Sequence, residues 1–147
     1  RRRSGQGEIM ASYFEDLTKA FDIALKSFGS TNSLPVALEN IDAPTSTATP
    51  YLASFMLLAD TDQADLGFTE QRAGVYQVDI NCASVKGSAP INKTADLLNA
   101  TFKAGATFRR NGICAEVQSV SLGPLIVQNG WAKRPLSISF IAFTERL

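Results

Sequence analysis

Histidine is absent from this 147-residue sequence, cysteine occurs twice and tryptophan once. Without imidazole the commonest general base and the commonest metal ligand are missing together. A serine or cysteine nucleophile therefore has no ordinary activating partner, and the fallback of Ser88 with Lys86 lies in a solvated turn. Cys82 and Cys114 are far apart and outside any CxxC arrangement, so no zinc ligand set is present. Neither GxxxxGK(S/T) nor GxGxxG occurs, which removes a phosphate cradle. Long apolar runs are lacking too. The longest, Phe55 to Ala59, falls far short of the roughly 20 residues of a membrane span. Arg1, Arg2 and Arg3 are followed by Ser4, Gly5, Gln6 and Gly7, where a secretory signal needs an apolar stretch.

Excess charge of either sign is also missing, with 14 basic and 14 acidic residues. Residues 1–9 show no periodicity and read as an appended remnant or a disordered arm, whereas Met10-Ala11-Ser12 reads as a natural start and a helix cap. Without the three Arg and one Glu of that segment, the balance becomes 11 basic against 13 acidic. Such a balance does not suggest a nucleic-acid binder. Residues 10–147 are expected to form a single domain, long enough for a core without metals or disulfides. The sparse, unpaired cysteines fit a reducing, cytoplasmic site of assembly.

Periodicity supplies the elements. Ser12 and Glu15 have capping-box spacing, and Phe14, Leu17, Phe21, Ala24, Leu25 and Phe28 then recur at helical intervals up to Gly29, a C-terminal stop. Strands are expected over Leu34 to Ile41, with Pro35 pushing its start toward an edge, and over Tyr51 to Ala59. A third follows Gly74, with Tyr76, Val78, Ile80 and Cys82 on a packed face and Gln77, Asp79 and Asn81 on a polar one. A second helix, with Ile91, Ala95, Leu98 and Phe102 inward, ends near Gly105. Ile113 to Leu122 and Pro135 to Phe143 alternate as two closing strands, and Leu125 to Val127 extend the first of them before a Gln128-Asn129-Gly130 turn. The order α-β-β-β-α-β-β predicts an α+β fold, a two-layer sandwich with a mostly antiparallel sheet.

Several polar groups invite a functional reading. Asp60, Asp62 and Asp65 form an acidic loop, but their register departs from a calcium-binding loop and strands flank them, so a solvated loop is expected. Arg109-Arg110 and Lys133-Arg134 are the basic pairs of the body of the chain. Alone they read as solvated loop ends; repeated around a ring, they would become circles of charge felt by DNA. Trp131 beside Lys133-Arg134 is either a core or turn anchor or a contact residue. The stretch from Thr61 to Arg72, carrying Phe68, Glu70 and Arg72, reads as a mobile surface loop or as one ordered by a neighbour, and Asp42 to Pro50 is a second contact candidate.

In this order and spacing the sequence resembles the tail terminator family of long-tailed bacteriophages. The resemblance covers most of Met10 to Leu147 and rests on packing patterns: Tyr13-Phe14 opening a short amphipathic helix, Gly74-Val75-Tyr76-Gln77-Val78-Asp79-Ile80 after an acidic loop ending in Phe68, the Ile91 to Phe102 helix running into Lys103-Ala104-Gly105, and Arg134-Pro135-Leu136-Ser137-Ile138-Ser139-Phe140 near the end. It implies a structural virion protein and not an enzyme, with no catalytic, cofactor-binding or metal-binding residues. It further implies a hexameric ring at the head-proximal end of the tail, assembled in the bacterial cytoplasm. Such a ring binds the tail tube protein, ends tube polymerisation and offers a surface to a head-completion or connector protein. DNA passes through the pore without sequence-specific binding, and no membrane is involved. The contact residues this leaves open are Phe68, Glu70, Arg72, Arg109, Arg110, Trp131, Lys133 and Arg134.

Three other readings stand beside it. A head–tail joining protein on the head side of the same connector has no sequence feature that separates it. A nucleic-acid-binding module would need a basic sheet face, where Gln77, Asp79 and Asn81 are neutral to acidic. A carboxylate enzyme would need Glu39, Asp79 and Glu116 to converge from three strands.

Overall fold

Helix α1 occupies Tyr13–Asn32 and buries Leu17, Phe21, Leu25 and Phe28 on one stripe. This is the stripe expected from helical spacing, except that Phe14 at its start is exposed. Glu15 and Asp16 sit in its first turn, where the positive end of the helix dipole favours them. The computed structural model describes residues 13–38, 50–58, 71–83 and 89–144, so the capping residue Ser12 lies outside the described residues.

Gly29 does not end α1. The helix continues to Asn32, and the left-handed residue after it is Ser33, at φ 56°. Gly29 instead permits a close approach. A Cβ there would stand 2.6 Å from the Leu34 carbonyl oxygen and 2.7 Å from Val36 Cγ2 as the chain doubles back. The Leu34 amide donates to the Gly29 carbonyl at 2.8 Å, closing that reversal.

Among the described residues seven strands follow, in the order β1 (Val36–Ala37), β2 (Tyr51–Leu58), β3 (Gln71–Ala83), then helix α2 (Ala89–Thr101), then β4 (Thr107–Arg110), β5 (Ile113–Leu122), β6 (Ile126–Gln128) and β7 (Trp131–Thr144). The sheet order is β1-β2-β3-β7-β5-β4, with β6 also paired to β7. The α+β class expected from the sequence stands. The sheet is mixed, because β1 runs parallel to β2 while the other pairs are antiparallel. The strand expected over Leu34 to Ile41 is, among the described residues, only Val36–Ala37.

Strand β4 is an addition to the expected order. It is tied to β5 by Asn111-Gly112, whose positive φ values of 49° and 85° suit a two-residue hairpin turn. Asn129-Gly130, at 52° and 82°, makes the equivalent turn between β6 and β7. Strands β5 and β6 lie on the same flank of β7, separated by residues 123–125. Pro135 of β7 faces that break. In an antiparallel strand a residue's N–H and C=O point toward the same neighbour. Pro135 accepts the Gly123 amide at 2.7 Å but has no N–H to return.

The core gathers around Phe21. Its ring lies 4.9 Å from Tyr76 and from Phe140, 5.2 Å from Phe108 and 6.4 Å from Phe102. Phe21 comes from α1, Phe102 from the end of α2, and Tyr76 and Phe140 from adjacent central strands, so both helices share one core on one sheet face. The Tyr76 hydroxyl, carried into this core, donates to the Asp22 carboxylate. A buried phenol needs such a partner.

Replacing a helical glycine by alanine ordinarily raises stability, by about 1 kcal/mol. At Gly29 the contact with a backbone carbonyl reverses the sign, and Gly29→Ala is expected to lose about 1–3 kcal/mol through overpacking. Urea denaturation checks this, and an unchanged or higher midpoint would refute the close-approach role.

Candidate functional site

Strand alternation decides what the sheet presents on the face away from the helices. Phe55 and Leu57 of β2, Val75 to Asn81 at every second residue of β3, and Trp131 to Ile141 at every second residue of β7 share that outer face by register. The face divides into an apolar end and a polar end.

At the apolar end, Phe55, Leu57 and Leu58 are exposed, and Leu57, Leu58, Val75 and Ile141 line a shallow groove of about 510 Å³. Gly74, one residue before Val75, faces the core side, where a Cβ would meet Phe140 Cζ at 2.7 Å and the Leu57 carbonyl oxygen at 2.9 Å. In sequence, Tyr51 to Ala59 is simply an apolar strand. Only the pairing of Phe55 with Gln77 and of Leu57 with Val75 shows that these side chains point away from the core.

At the polar end, Gln77, Asp79 and Asn81 do form the polar face that alternation predicted, but Asp79 and Asn81 are buried. Ala53 and Pro135 flank Asp79 across the strands, and Tyr51 and Lys133 flank Asn81. Gln77 Nε2 donates to Asp79 at 2.8 Å, and Lys133 Nζ approaches it at 3.8 Å. Trp131 meets Tyr51 edge-on at 5.0 Å and 88°. A notch of about 180 Å³ opens between these aromatics and the β6–β7 hairpin, with Gln128 and Asn129 on its rim. Burial, reinforced by the Asp79 charge, pushes the Tyr51 phenol above its ordinary value.

The basic residues singled out by sequence do not form paired patches, because adjacent residues on a strand point to opposite faces. Arg110 turns toward α1 and forms an ion pair of 3.3 Å with buried Asp16, which also accepts from Asn111 Nδ2 at 3.1 Å. Arg109, one residue away, points outward and is exposed. Lys133 goes to Asp79 on the outer face, while Arg134 turns the other way, donating to the Gly123 carbonyl at 2.9 Å and to Asn92 Oδ1 at 2.8 Å. Arg72 holds its guanidinium 5.1 Å from the centre of the Phe14 ring. Phe68, Glu70, Glu39 and the acidic loop lie outside the described residues.

Little in this arrangement suits catalysis. Asp79 and Glu116 share the outer face but stand opposite Pro135 and Ile141 of the intervening β7, about 20 Å apart at the rise of a strand. Among the described residues no group of three or more His, Cys, Asp or Glu could hold a metal ion, and no helix is long and apolar enough to cross a membrane.

Comparison with known proteins finds a family and solved structures. A family model described as phage tail terminator protein matches residues 16–140. A solved structure, bearing only a sequence label and no stated activity, is similar at a TM-score of 0.61 and 25% identity, over 97% of this chain and 96% of that one. No curated protein matches.

Two measurements follow from this geometry. Arg110→Ala leaves buried Asp16 short of its cation and is expected to cost about 1–3 kcal/mol in urea unfolding, while Arg109→Ala stays within about 0.5 kcal/mol. Equal effects of the two would remove the distinction. In an ultraviolet titration compared with Tyr51→Phe, the Tyr51 phenol should ionise above the ordinary tyrosine range. Because the unfolded chain releases that proton first, Tyr51 lowers stability as pH rises past about 10. Asp79→Asn should bring the Tyr51 transition part of the way back.

Proposed function

Since this chain belongs to the phage tail terminator family, a family of tail structural proteins, we propose that it works as a ring of identical subunits, six in number, seated on the end of the tail tube. The ring ends addition of tube subunits on one side and offers a docking surface for a head-completion or connector protein on the other. DNA passes through its pore without being read. The protein acts at the head-proximal end of the tail, after assembly in the host cytoplasm, and by shape alone, with no cofactor and no turnover.

The observation that carries this reading is the one-sided layering of the fold. Both helices contribute to a core on one sheet face, and the other face carries exposed Phe55 and Leu57 with no convergent reactive groups among the described residues. Apolar side chains gathered on an uncovered surface mark a place where another protein sits. Ring closure multiplies modest contacts, because each subunit is held at two places and the joint is repeated around the axis.

Of the contact residues proposed from sequence, Arg109 keeps that role by its exposure on strand β4 and Trp131 by its place at the β6–β7 turn, and Arg110 and Arg134 are engaged within the fold. Phe68, Glu70 and Arg72 are retained as contacts to a neighbouring subunit or to the tube, and Lys133 at the rim of the polar notch.

Light scattering at high protein concentration, with negative-stain imaging alone and with purified tube protein, tests the proposal. Closed rings of six, free or on tube ends, are expected. Particles produced without this protein should carry tails of irregular length unattached to heads. Normal tails joined to heads would end the proposal. Arg109→Glu should leave rings intact and lower infectious yield, by altering the charge that the ring presents to DNA.

A further inference from the structure

The apolar groove has a counterpart on the same molecule. Strand β6 and the residues leading to it expose Leu122, Leu125, Ile126 and Val127, with Val127 at 62% of its full accessible area. This arm exists because the ladder beside β7 is broken opposite Pro135, so β6 touches the sheet only through its pairing with Ala132 and its neighbours. Among the described residues, its other edge is unpaired. Natural edge strands that face solvent are blunted with lysine, proline or inward charge. Ile126-Val127-Gln128 carries neither charge nor proline, and its length of three residues is its one protection.

We propose that the β6 arm of one subunit, led by Ile126 and Val127, seats in the groove formed by Leu57, Leu58, Val75 and Ile141 of a second copy. The inference rests on reading the chain as a ring subunit, and four observations favour a second copy over another occupant. Arm and groove are matched in kind: neither the β6 residues and their turn nor the groove lining includes a charged side chain, so neither would attract nucleic acid or a highly charged partner. Each offers a few aliphatic side chains, so the two surfaces are matched in extent. They also lie toward opposite ends of β7, beside Ala132 and Phe140, about 26 Å apart at the rise of a strand, so a subunit cannot fill its own groove. Finally, two different and displaced patches define a head-to-tail contact, the type that generates rings.

The same geometry sets the strength of the contact. Three or four partly exposed side chains per side fall below the roughly 800 Å² per partner of a standard stable interface. A single joint is therefore weak, and lasting association requires closure or the tube as template.

Cross-linking captures a weak joint. Val127→Cys and Leu57→Cys replace exposed side chains, so both variants keep the fold, and native Cys82 and Cys114 are buried away from reagent. A short thiol-reactive bifunctional linker should give covalent dimer in the 1:1 mixture several-fold above either variant alone. Equal yields in all three samples, or none in the mixture, would overturn the contact. Light scattering of the wild-type protein separates this from the broader reading. Rings without the 57–127 link would reject the arm-and-groove joint and leave the ring, whereas the link in a protein that never closes rings would keep the joint and reject the ring.

Discussion

Strand β7 is bonded along both flanks, to β3 without interruption from Trp131 to Phe143 and to β5 and β6 on the other side. Its register fixes the identity of the two sheet faces. Leu136, Ile138, Phe140 and Ala142 are all buried inward, and a slip of one residue would send them outward together. Phe21 of α1 locks the register by packing on Phe140 and stacking on Tyr76 of the adjacent strand. The exposed apolar groove, the buried Asp79 and the free arm all take their positions from this strand.

Pro135 is the informative exception within β7. Proline is unusual in a central strand because it deletes a ladder donor. Here the deletion falls where β5 ends and β6 has not begun, so no paired strand residue is deprived. Gly123 can approach only because it lacks a side chain: a Cβ would meet the Pro135 ring at 2.8 Å. Arg134 closes the gap through the Gly123 carbonyl and ties it to α2 through Asn92. What reads as a defect in the ladder is the joint from which β6 projects.

Much of this was legible in the residues. Most of the α1 stripe, the inward face of α2 and the alternation of β3 and β7 follow from period alone, and the α+β class follows with them; in β5 the expected alternation fails, because Cys114 is buried and a register shift between Val117 and Ser119 changes its phase. Period did not reveal which apolar strand residues stay uncovered. Phe55 and Leu57 look like core residues until pairing with Gln77 and Val75 sets their direction. Gly29 looked like a helix stop because its conformational freedom and its lack of bulk leave the same trace in sequence. Strand β4 was missed although Asn111-Gly112 announces a hairpin as clearly as Asn129-Gly130 does. A run of only four residues, Thr107–Arg110, carries too little alternation to stand out.

The basic pairs show why sequence proximity misleads on a strand. Arg109-Arg110 and Lys133-Arg134 read as doubled charge, yet alternation sends the members of each pair to opposite faces, and Arg110, Lys133 and Arg134 find partners within the fold. Pairing Arg110 with Asp16 and Lys133 with Asp79 reduces the positive charge that these strands offer a polyanion. Its adhesive capacity lies in apolar area, which is non-directional and insensitive to screening by salt. Apolar area alone would allow promiscuous sticking; specificity requires that the area be shaped, and the strand register and the Pro135 break give the groove and the arm their outlines. Shape set by backbone features, not by reactive side chains, is what a protein needs if its task is to end a polymer.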